Sequence, residues 1–159
     1  MPAAVESPRR RALAYLAAHR VLTLATSGPL GVWAAAVFYV NDGFDLYFLS
    51  ASHTRHAQNV AASPRVAATI QEDYADWPEI QGIQCEGTAE LLTGAARTHA
   101  MAIYRAKYPF LREAPPVIAT ALEKVGWYRL RPDRLYFVDN SRGFGHRDEI
   151  NLDTFGEST

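Results

Sequence analysis

The run Val32-Trp-Ala-Ala-Ala-Val-Phe-Tyr-Val40, the turn Asn41-Asp-Gly43 and the run Phe44-Asp-Leu-Tyr-Phe-Leu-Ser50 decide the fold. Two stretches rich in β-branched and aromatic residues on either side of an Asp-Gly step make an antiparallel hairpin, because glycine reaches the positive φ that a tight turn needs. The second run passes directly into Ser50-Ala-Ser-His-Thr-Arg-His56. From Thr54 to Ala62 the chain carries no turn residues, which predicts a short helix ended by Ser63-Pro64.

Working outward, Val21 to Thr26 is a strand halted by Ser27-Gly28-Pro29, and a helix from Arg9 to His19 precedes it, opened by Ser7-Pro8. Downstream, Arg65 to Gln71 reads as a fourth strand, Glu72 to Pro78 as an acidic and aromatic loop, and Ile80 to Leu92 as a long alternating strand. Helices are expected over Gly94 to Tyr108 and Pro116 to Lys124, and two last strands over Gly126 to Arg131 and Arg134 to Val138. Asp139 to His146 is turn-rich. This order predicts a mostly β protein, an antiparallel barrel of about seven strands with peripheral α-helices. A single domain is expected over residues 1–159, with about 1–6 and 149–159 flexible.

The 159 residues suit one domain, and 48% apolar with 21% charged residues is an ordinary globular balance. With 16 basic against 17 acidic residues the net charge is −1, so the positive field that a nucleic-acid partner requires is missing. Cys85 is the single cysteine, which excludes an internal disulfide and any zinc site built from several thiolates. The N-terminus lacks the uninterrupted apolar run of a signal peptide or a membrane span, so the expected location is the cytoplasm, with no membrane contact.

Ser50 to His56 has anion-site chemistry. Hydroxyls at Ser50, Ser52 and Thr54, imidazoles at His53 and His56, and the Arg55 guanidinium gather where a strand passes into a helix, whose first turn offers unpaired amides and a positive dipole end. The plainer account, that Thr54 or Ser52 merely caps the helix while Arg55 is solvated, fits the same residues. A metal held by His53 and His56 lacks a third ligand nearby, and none is expected. Cys85, in an alternating strand, reads as a small buried side chain. Among the aromatic residues, Trp77 in its loop, Tyr39 beside a turn and Phe144 between two glycines are placed to stack on a flat ligand, with the titratable His146 near Phe144. A solvated turn is the simpler alternative for that tail.

The runs Trp33 to Val40 and Leu46 to Ser50, the segment Thr54-Arg-His-Ala-Gln-Asn and the later Ile80-Gln-Gly-Ile-Gln-Cys-Glu-Gly resemble the pyridoxamine 5'-phosphate oxidase-like FMN-binding split barrels. The ending Arg134-Leu-Tyr-Phe-Val-Asp-Asn-Ser-Arg-Gly-Phe-Gly-His-Arg resembles the YhbP-like branch. The resemblance implies a homodimer with FMN at the subunit interface. It places Ala34, Ala36 and Val37 along the isoalloxazine ring, and Leu49, Ser50, Thr54, Arg55 and His56 around the phosphate. Gln81 and Gly82 match the partner's polar contact, and Arg147 a late basic one. Trp77, Phe144 and His146 would shape a substrate pocket. His56 stands where the family usually has a lysine, which implies a pH-sensitive phosphate contact. The basic residues that flank the ring in true pyridoxamine-phosphate oxidases are missing, which argues against vitamin B6 oxidation. The function implied is an FMN-dependent oxidoreductase acting on an unknown small molecule; the alternatives are an F420-dependent reductase and a non-catalytic flavin or haem binder.

Overall fold

The computed structural model describes residues 4–153. Helix α1 spans Pro8–Ala18, with the Ser7 hydroxyl accepting from the Arg10 amide at 3.2 Å, so the Ser-Pro start does what its chemistry predicts. Strands β1 (Val21–Gly28) and β2 (Gly31–Phe38) form one hairpin, and β3 (Val40–Asp42) and β4 (Asp45–Ser50) a second, turned at Gly43 with φ +58°. Helix α2 (Arg55–Ala62) leads to β5 (Arg65–Gln71), and β6 covers Gln81–Leu91. Helices α3 (Gly94–Lys107) and α4 (Pro116–Lys124) precede β7 (Gly126–Asp139) and β8 (Arg147–Glu149).

The strands pair antiparallel in the order β2-β1-β5-β6-β7-β4-β3, with β8 added on β7. The two ends of that order, β2 and β3, are consecutive in the chain and separated only by Tyr39. One bent run therefore closes the sheet into a barrel, split at its corner. Tyr39 is fully buried there; its amide donates to the Arg20 carbonyl at 2.9 Å and its hydroxyl to the Leu16 carbonyl at 2.7 Å. The single strand expected over Val32 to Val40 is thus bent, because barrel closure requires its two halves to serve different neighbours.

The two final strands expected from the sequence are one. Pro132 has no amide to give, yet β7 continues through it because the pairing with β6 shifts register between Glu86 and Gly87. Gly87 is required at that bulge, since a Cβ would overlap the Arg131 carbonyl oxygen.

Leu22, Leu24, Phe48, Ile70, Ile83, Leu130, Leu135 and Phe137 fill the barrel, capped by Leu16 of α1 and by Ala57 and Val60 of α2. A second cluster, with Tyr47, Tyr104, Tyr108 and Trp127, seats α3 on the outside. Of the end expected to be loose, Glu149 closes β8 with its side chain exposed, and Ile150 is buried in the core, its amide donating to the Leu135 carbonyl at 2.9 Å. Residues 1–3 and 154–159 of the ends expected to be flexible lie outside the described residues. Among those described, no helix is long and apolar enough to cross a membrane.

Candidate functional site

The junction of β4 and α2 gathers the residues singled out from the sequence. Ser50, the last residue of β4, is buried and its Oγ lies 2.9 Å from Thr54 Oγ1 and 2.7 Å from His56 Nε2. Thr54 is the α2 N-cap, its Oγ1 accepting from the Ala57 amide at 3.2 Å. Thr54 therefore caps the helix, as the plainer account has it, and its hydroxyl is shared with Ser50 besides.

Arg55 is half-buried and held by protein contacts. Its guanidinium lies over the Trp33 ring at 4.5 Å, Nη2 donates to the Leu30 carbonyl at 3.0 Å, and its buried Nε has no partner. Leu30 and Trp33 belong to the β1–β2 hairpin and β2, so this one side chain ties the helix start to the strand bearing Ala34, Ala36 and Val37. The sequence analysis missed that role for Trp33. Its only signal was position in the alternation, and the partner is set by hairpin register. Asn59 fixes α2 from below, donating to Thr26 Oγ1 at 3.1 Å in space that Gly28 leaves open, since a Cβ on Gly28 would overlap Asn59 Oδ1.

Electrostatically the helix start lacks negative charge. The first turn of α2 carries Arg55 and His56 and no acidic residue, the reverse of what the helix dipole favours when nothing negative is bound. Burial holds the His56 pKa below its ordinary value, so near neutral pH the ring is uncharged and serves Ser50 as a hydrogen-bond partner.

The remaining candidates form a second group. The loop before β6 makes a short 3-10 turn at Trp77–Glu79, and that after β7 another at Asn140–Arg142. The two turns are joined by the Asn140 amide donating to the Ile80 carbonyl at 2.9 Å. Trp77 and Phe144 meet edge to face at 5.7 Å, although each is largely exposed (52% and 84%). Gln81 and Gly82 follow at once, the Gln81 carbonyl accepting from the Tyr15 hydroxyl at 3.1 Å. His146 Nε2 lies 3.2 Å from Asp148 Oδ2, and Arg147 stacks on Tyr136 at 4.6 Å. No hydrogen bond, ion pair or ring contact given for the described residues joins this group to the Ser50–His56 cluster. Cys85 is buried, which pushes its thiol up to about 12, so it is no nucleophile. No three His, Cys, Asp or Glu side chains among the described residues gather as a metal site.

Strand β2 is the most exposed part of the barrel. It pairs only with β1, and Val32 (82% exposed) and Trp33 lie open on it.

Comparison with known proteins agrees with this architecture. The sequence matches the Pyridoxamine 5'-phosphate oxidase family over residues 9–139. A UPF0306 protein of Photorhabdus laumondii is 33% identical over 135 residues, 84% of this chain and 88% of that protein. The UPF0306 protein YhbP of Salmonella schwarzengrund is 30% identical over the same length, covering 84% and 86%. Among solved structures, HutZ, the haem storage protein from Vibrio cholerae, superposes with a TM-score of 0.70 at 18% identity, covering 88% of this chain and 98% of that one, a likeness of fold. By family match, by relatives and by fold, the chain belongs to the pyridoxamine 5'-phosphate oxidase-like split barrels and, within them, to the UPF0306 proteins typified by YhbP.

Proposed function

We propose that this protein binds FMN between two copies of the chain and acts as a flavin-dependent oxidoreductase on a small molecule in the cytoplasm. The observation that carries the proposal is the start of α2: an arginine where the dipole disfavours a cation, an imidazole, two hydroxyls, and a guanidinium Nε buried without a partner. A phosphate supplies the missing acceptor and the missing negative charge together. Bound there, FMN would supply reversible uptake of a hydride or of electrons. Arg55, Ser50 and Thr54 hold the phosphate, and Leu49 leads into the pocket. Ala34, Ala36 and Val37 present a strand of small side chains that lets a flat ring approach the backbone. An anion next to His56 favours its charged form, so the phosphate gains a cation as pH falls.

The group around Trp77 and Phe144 is not joined to the phosphate segment within one protomer. A second copy would bring the partner's Gln81 and Gly82 to the ring, with Trp77 and Phe144 excluding water and His146, oriented by Asp148, holding a proton. The exposed apolar face of β2 is the surface such a copy would cover. Light scattering is expected to give twice the 17.6 kDa of one chain. A monomer that holds flavin stoichiometrically contradicts the interface site.

The direct test is the colour of the purified protein. Oxidised flavin bands, with FMN released on heating, are the expected result; a Soret band would instead assign haem, the ligand for which HutZ, the haem storage protein, is named. Arg55→Ala is expected to weaken FMN binding by roughly 1.5–3 kcal/mol, the range for hydrogen bonds to a charged group. Titration calorimetry checks this, and unchanged affinity in a folded variant removes the phosphate site.

A further inference from the structure

Outside the barrel, helices α3 and α4 enclose a cavity of about 250 Å³ against β7. Trp127 forms its floor and is only 3% exposed, yet its indole N–H is buried without an acceptor. Arg97 and Arg105 of α3 line the wall, with Met101 between them on the same helical stripe. Arg97 is half-buried, and the partner found for it is the Met101 sulfur, at 3.3 Å, a weak acceptor. No ion pair among the described residues neutralises either arginine. Apolar surface comes from Leu111 and Leu122, and the one acidic side chain of the lining, Glu123, stands exposed on α4.

Buried donors are almost always matched, so an indole N–H and a half-buried guanidinium on residues that line one cavity leave a shared need for an acceptor with negative charge. The space is smaller than the usual drug-sized pocket, which limits the occupant to a compact molecule. The cover is loose as well. Helix α4 buries none of its residues, and Leu122 alone is partly buried.

We propose that this cavity binds a small apolar carboxylate, an aromatic or branched acid about the size of phenylacetate. The carboxylate accepts from Arg97 and from the Trp127 indole, and the hydrocarbon part packs on Met101, Leu111 and Leu122. A cation of the same shape is repelled by the two guanidinium groups. Trp127 pairs across the sheet with Leu49, so an occupant sits one strand from the Ser50–His56 segment. The site nevertheless shares no residue with the flavin reading and stands or falls without it.

The test uses the full chain labelled with 15N and follows the three indole N–H resonances, with Trp127 assigned from Trp127→Phe. Phenylacetate is expected to move the Trp127 resonance saturably, while phenethylamine at equal concentration does not. Arg97→Met is expected to raise the phenylacetate Kd at least about tenfold with the amide spectrum preserved. An unmoved Trp127 resonance at about 10 mM phenylacetate overturns the proposal. So does an equal response to the amine, or an unchanged Kd in Arg97→Met. Should Arg97→Met fail to fold, the contrast between the two probes decides alone.

Discussion

Asp139→Ala is expected to lower the stability of the fold by about 3–5 kcal/mol, the range for removing one partner of a buried ion pair. Asp139 closes β7 and is fully buried. One oxygen accepts from the Ser141 amide and hydroxyl at 3.0 and 2.6 Å, the other from the Arg11 guanidinium of α1, with Arg142 near it at 3.7 Å. Alanine leaves the Arg11 guanidinium, mostly shielded from water, without its carboxylate, and frees the turn that carries Phe144. The same cluster makes stability pH-dependent. Burial by itself raises the carboxyl pKa, but the hydrogen bonds from Arg11 and Ser141 outweigh it and hold Asp139 at about 2, below its ordinary 3.8. A depressed folded-state pKa stabilises above the unfolded value, so the contribution is whole above about pH 4 and is lost as pH falls towards 2. It amounts to about 2 kcal/mol by linkage. Urea unfolding at pH 7 and at pH 3 measures both effects. A loss under about 1 kcal/mol at pH 7 would show that Arg11 finds water without cost.

Phe137→Ala is expected to cost about 3–5 kcal/mol, as large aromatic truncations in a packed core do. Phe137 is 1% exposed, two residues before Asp139 on the same strand face, and it stands under the same arginine: the Arg11 guanidinium lies 5.1 Å from its ring and Tyr15 meets it edge to face at 5.8 Å. The ring thus joins α1 to the barrel. Phe137→Leu, which keeps most of the volume, is expected to lose clearly less, about 1–1.5 kcal/mol. Because both sites touch Arg11, the double variant Phe137→Ala with Asp139→Ala should lose less than the sum of the single losses. Equal losses for Phe137→Ala and Phe137→Leu would mean that aromatic contact, and not filled volume, holds α1 in place.

Much of this was legible from local pattern. The Asp-Gly step, the Ser-Pro start of α1 and the unbroken run from Thr54 to Ala62 each answer to chemistry within a few residues, and the structure has a turn or a helix at each. What was not legible depends on partners far away in sequence. Pro132 signals a break unless β7 bulges beside it, at Asp133, and the partner strand makes room for the bulge, as Gly87 does. Tyr39 looks like an ordinary strand residue until closure of the barrel turns it into a corner. Ser50, Thr54 and His56 could be grouped by proximity in sequence, whereas the stacking of Arg55 on Trp33 depends on the β1–β2 register, and the meeting of Trp77 with Phe144 on two loops coming together.

The strand order has a consequence for how the chain is made. Strand β7 lies between β6 and β4 and joins them in the sheet, yet it is made after both. Until it emerges, β4 and β6 each expose an unpaired edge, and Leu46, Phe48 and Ile83 lack the wall that Leu130, Leu135 and Phe137 later provide. The nascent chain must therefore hold two open sheets with sticky rims until β7 is made, and barrel closure is a long-range event that makes chains cut before β7 candidates for aggregation or chaperone capture.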